Sequence, residues 1–123
     1  MKLNPDCVRD VLLSVEANTN YDKMWEFNPY DIQVDALKKY FGEEIVYHVS
    51  QCDKANLIDG CRILELGKYV IISDLSPQGH EFIANTTPEP VWNKIKSKGI
   101  SSLYVIFNLA RDFALAYYQG TLQ

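Results

Sequence analysis

His48 and Cys52 stand one helical turn apart, and Cys61 follows, so the first chemistry to weigh is metal binding. A structural zinc site takes four ligands, and only three soft candidates are present. Cys52 also shares its spacing with Ile45 and Val49, where a thiol packs as a small hydrophobe. Neither a metal site nor a cofactor is expected. The His80-Glu81 pair suggests acid–base work, but no nucleophile, glycine-rich phosphate loop or second carboxylate accompanies it. His80 is expected to tether its short helix to the backbone near the hairpin. The residues do not read as an enzyme.

The second chemistry is nucleic-acid recognition. Tyr47, His48, Gln51 and Lys54 fall on what would be the solvent face of one helix, and Arg62 and Lys68 lie on the hairpin that follows. Gln51 has the fork that reads adenine, and the three cations suit phosphate. Glu43 and Glu44 oppose this, since they occupy the first turn of that helix and repel phosphate; they equally suit the helix dipole. Glu65 works against Arg62 and Lys68. Lys94, Lys96 and Lys98 form a second basic cluster. Two or three phosphate contacts per protomer bind weakly, so a DNA role calls for a dimer.

Composition narrows the classes. The chain has 123 residues, a length for one domain, and a net charge of −4. That excludes a globally basic nucleic-acid coat. The charge is uneven: residues 1–60 carry −5 and residues 61–123 carry +1. Three cysteines without a CxxC pair are no disulfide framework, which predicts a reduced, cytoplasmic protein. Asp6 and Asp10 precede any long apolar run, so no signal peptide is expected. The most apolar stretch, Leu103 to Tyr118, is interrupted by Asn108, Arg111 and Asp112, so no membrane span is expected either.

Several elements must position these side chains. Asn4 can cap a first helix that has Pro5 in its first turn and Val8, Val11, Leu12 and Val15 on one face. An aromatic loop (Tyr21, Trp25, Phe27, Tyr30) leads to a short strand near Asp31–Val34; most of it should cover a core edge, and an exposed subset would make an interaction surface. A two-turn helix is predicted over Asp35–Phe41, ended by Gly42, and a longer one over Glu43–Ala55. The period then changes from 3.6 to 2: Cys61–Leu66 and Tyr69–Asp74 read as strands joined by a two-residue Gly67-Lys68 turn. Short helices follow at Gln78–Ala84 and Pro90–Lys98, then a long one at Leu103–Tyr118. The expected core is Val8, Leu12, Val15, Ile45, Val49, Leu57, Ile58, Ile72, Leu75, Phe82 and Trp92.

This order predicts an α+β, mostly α fold: a winged helix-turn-helix over residues 1–87 with a small β-hairpin wing, and two extra C-terminal helices over residues 88–123. The stretches Met1–Asp10, Tyr47-His48-Val49, Ala55-Asn56-Leu57-Ile58, Leu75–Ile83 and Val91-Trp92-Asn93-Lys94 resemble the bacterial and phage family DUF2513 over roughly residues 1–98. The resemblance implies a winged-helix protein of phage and mobile-element settings, and no known activity or ligand residues.

Leu103, Ile106, Phe107, Ala110, Phe113 and Tyr117 repeat at helical spacing on the last helix. They predict a dimerisation stripe, because a helix apolar over most of its circumference needs burial on more than one side. The leading functional reading is a DNA-binding regulator acting as a homodimer on double-stranded DNA. The alternative is a protein-binding module, a phage-encoded adaptor or inhibitor of a basic host protein, with Glu43 and Glu44 at the contact.

Overall fold

The computed structural model describes all 123 residues. Helix α1 (Pro5–Asn18) begins as the sequence demands: the Asn4 side chain accepts the Asp6 N–H at 3.1 Å, and Pro5 takes the first helical position. Strand β1 (Trp25–Phe27) follows, then α2 (Gly42–Lys54). Four short strands come next: β2 (Ile58–Asp59), β3 (Arg62–Leu64), β4 (Tyr69–Ile72) and β5 (Asp74–Leu75). Helices α3 (Pro77–Thr86), α4 (Glu89–Ser97) and α5 (Leu103–Tyr118) close the chain.

The sheet order is β1-β4-β3, all antiparallel, with Trp25 opposite Ile72 and Leu64 opposite Tyr69. A separate antiparallel pair joins β2 to β5. The expected mostly helical α+β architecture with a β-hairpin wing is therefore present. All eleven expected core residues are buried, and one cluster runs from Leu3 through α5. Leu103, Ile106 and Ala110 belong to that cluster, so the C-terminal helices share the core of the preceding elements.

Three local expectations are corrected. The first strand is Trp25–Phe27, not Asp31–Val34, because Asn28 accepts the Tyr30 N–H at 2.9 Å and Pro29 has no N–H to give a ladder. The helix expected over Asp35–Phe41 is a single 3₁₀ turn, Asp35–Leu37. Its lead residue Val34 offers no side-chain cap, and the segment is held instead by Tyr40 donating to Asp10 at 2.7 Å and Lys39 pairing with Asp10 at 3.1 Å. The hairpin loop is also longer than two residues. With Leu64 opposite Tyr69, Glu65 to Lys68 form the connection, and Glu65 (φ 53°), Leu66 (φ 58°) and Gly67 (φ 90°) are all left-handed.

Candidate functional site

The helix predicted to read DNA does not present all its candidates to solvent. His48 is fully buried. Its Nε2 accepts the Asn4 N–H at 2.8 Å, and its Nδ1–H donates to the Glu44 carbonyl at 2.7 Å. These two bonds fix the neutral tautomer, and burial holds the imidazole below its ordinary value of 6.5. His48 is therefore a tether between α2 and the cap of α1, neither a DNA contact nor a free ligand. Tyr47 and Gln51 are half-buried and line one cleft together with Leu3, Ser101, Tyr104 and the exposed Lys54. Arg62 and Lys68 on the wing are exposed. Lys54, Arg62 and Lys68 have no carboxylate partner.

The cysteines and His80 also find ordinary roles. Cys7 and Cys52 are buried free thiols, and burial pushes Cys7 up to about 12 and Cys52 further still. Half-buried Cys61 is raised to about 11, again by burial first. All three are poor nucleophiles on that account. His80 lies 4.0 Å from the Asp74 carboxylate, so it faces a side chain at β5 and not the backbone near the hairpin. The neighbouring Glu81 binds Arg111 of α5 through both oxygens at 2.7 and 2.9 Å, which lowers the carboxyl.

On α5 the apolar stripe splits by face. Leu103, Ile106 and Ala110 are buried against the chain's own α3 and α4, and Phe107 and Phe113 are half-covered. Phe107 stacks on Phe82 with centroids 6.3 Å apart, and Lys94 lies over the Phe113 ring. Of the six stripe residues only Tyr117 is exposed, so the stripe serves the chain's own core first. The outward apolar groups of α5 are Tyr104, Val105, Leu115 and Tyr118.

A surface not anticipated in the recognition face lies at the start of α2 and the wing tip. Leu66 is 97% exposed, Phe41 82% and Tyr30 53%. The glycines that follow Phe41 and Leu66 both come close to the Tyr30 ring. A β-carbon on Gly42 would lie 2.7 Å from Tyr30 Cγ, and one on Gly67 would lie 3.7 Å from Tyr30 Cε2 and 3.1 Å from Val46 Cγ2. The two glycines thus let α2 and the wing turn close on one tyrosine, with Phe41 and Leu66 as their immediate neighbours.

Both neighbours break a local rule. Phe41 is the N-cap of α2 yet supplies no side-chain acceptor, a position where Ser, Asp or Asn is worth about 1 kcal/mol. Leu66 is a non-glycine residue in the left-handed region, a cost of about 1–2 kcal/mol, with its side chain in water. Breaks of local preference concentrate at functional or strained sites. The sequence signal was available: a phenylalanine directly before the helix-starting Gly42, and a leucine inside the Glu65-Leu66-Gly67 turn.

The sequence matches the family described as Hypothetical protein (DUF2513) over residues 2–102. The chain belongs to the DUF2513 family. No curated protein and no solved structure matches it. In this DUF2513 chain the stretches that carry the resemblance lock the fold together. Ser76 Oγ donates to the Asn56 carbonyl at 2.5 Å and accepts the Gly79 N–H at 3.0 Å, while the Ser76 N–H reaches the Leu57 carbonyl at 3.1 Å. A β-carbon on Gly79 would collide with that same Leu57 carbonyl oxygen, so only glycine lets α3 sit this close. Asn4 meets His48, and Trp92 Nε1 donates to Asp6 at 3.2 Å. No helix is long and apolar enough to cross a membrane.

Proposed function

We propose that the chain is a non-enzymatic protein-binding module that offers the wing tip and the start of α2 to its partner. The observation that carries this reading is the exposure of Leu66 and Phe41 beside the two glycines that approach Tyr30, both at a cost in local stability. Large exposed apolar groups gathered in one place are a mark of interaction surfaces. The first turn of α2, where a DNA reader enters the groove, holds Glu43 and Glu44, and buried His48 and half-buried Tyr47 and Gln51 leave few groups for base edges. In a phage or mobile-element setting, acting in the cytoplasm, the partner would be a host or phage protein.

The test is capture from bacterial lysate by the immobilised chain, with a Leu66→Gly variant as the comparison. The reading expects a protein retained by the wild type and lost with the variant; identical profiles would refute it.

A second reading, a DNA-binding regulator acting as a dimer, is favoured by one observation. Lys54, Arg62 and Lys68 are exposed without a carboxylate partner. A two-fold contact would then use Tyr104, Leu115 and Tyr118, the outward side of α5.

A further inference from the structure

We infer that the Tyr30–Phe41–Leu66 surface docks a cationic segment of a protein that carries an apolar or aromatic anchor side chain. The inference rests on the protein-binding reading and adds the chemistry of the partner.

Four carboxylates flank these three apolar residues along the chain. Asp31 follows Tyr30, Glu43 and Glu44 follow Phe41 and Gly42, and Glu65 precedes Leu66. None of these four carboxylates pairs with a Lys or Arg. The nearby lysines do not compensate: Lys38 is held by Asp35 at 3.0 Å, and Lys39 by Asp10 at 3.1 Å. Lys68 is the one unpaired cation next to the wing tip. The positive end of the α2 dipole offsets roughly half a charge. A surplus of negative charge therefore faces any approaching chain, and it rejects phosphates and acidic peptides as firmly as it attracts Lys and Arg.

Leu66 is also held in place. Gly67 lies against Val46 of α2, which pins the wing turn, so Leu66 projects from a fixed backbone. A pre-set apolar projection loses little freedom on binding and can act as a hot spot beside the two aromatic rings. The carboxylates steer and select the partner, and Leu66 with Phe41 hold it.

The test uses the full chain and three fluorescent synthetic peptides. All share a central Trp-Leu pair, and they differ only in flanking residues: Lys and Arg, Asp and Glu, or Ser and Gly. The expected result is that the basic peptide binds at least about tenfold tighter than the acidic one, a preference that shrinks at high salt. Leu66→Gly and Phe41→Ser should each weaken it by about tenfold or more. Both variants should keep the wild-type circular dichroism and melting behaviour or better it, so lost binding cannot be ascribed to unfolding. Equal affinity for the three peptides, or binding untouched by both substitutions, overturns the inference. If the peptides show no preference while a lysate protein is still lost with Leu66→Gly, the protein-binding reading stands and the cationic partner is wrong. If that capture is also unaffected, both fall.

Discussion

Tyr30 fills the space that a side chain on Gly42 would need: a β-carbon there would stand 2.7 Å from Tyr30 Cγ. The obstacle is a half-exposed ring that can swing away. Gly42→Ala should therefore change stability by less than about 1 kcal/mol, helped by the better helix propensity of alanine. It should still displace Tyr30 and weaken partner binding. Gly79→Ala is the contrast, because its β-carbon would meet the Leu57 carbonyl, which is backbone. That change should cost about 2–3 kcal/mol or more. Urea unfolding of the two variants measures the difference.

Leu66→Gly should stabilise the protein by about 1 kcal/mol, since glycine takes positive φ without strain and the lost side chain packs against nothing. Phe41→Ser should add a similar amount by supplying the missing cap acceptor to α2. Thermal melts of the two variants check both signs. A loss of stability in either would mean that these residues pack for the fold.

His48 gives the fold a dependence on pH. Its folded value lies below its ordinary 6.5, chiefly through burial. The unfolded chain thus takes up the proton first as pH falls. Stability from this group is complete above 6.5, declines as pH drops from there toward the folded value, and changes no further below it. His48→Gln removes this slope while the carboxylates keep theirs. The check is the difference between the two proteins in urea midpoint across that interval.

Leu12→Ala and Leu57→Ala should each cost about 2–5 kcal/mol, because both side chains are essentially inaccessible and leave cavities. Removing the chain after Gly99 should unfold it and not release a stable monomer, since Leu103, Ile106 and Ala110 complete the common core. Circular dichroism of the truncated chain decides between these outcomes.

The fold was legible where short-range pattern and long-range packing agree. The Asn4-Pro5 start of α1, the apolar face Val8 to Val15 and the change of period after Gly60 all survive in the structure. Tertiary contacts overrode pattern elsewhere. Tyr40 and Lys39 are held by Asp10 of α1, so the segment before α2 has no need to be helical. His48 falls toward the solvent side in a polar-versus-apolar count, yet two hydrogen bonds allow it to be buried, and its partner Asn4 is 44 residues away. Spacing alone makes Gly67 the first of two turn residues, whereas the register of Leu64 with Tyr69 makes the loop longer and places Leu66 within it. Gly42 and Gly67 both approach Tyr30 from distant parts of the chain, and no periodicity encodes that meeting.

Titration of labelled random and genomic double-stranded DNA at two salt concentrations separates a protein-binding role for this scaffold from a DNA-binding one. A protein-binding role predicts negligible DNA binding at low salt by a folded sample, with no change on Lys54→Ala or Lys68→Ala. Tight low-salt binding that falls steeply with salt, and weakens uniformly in both lysine variants, would contradict it.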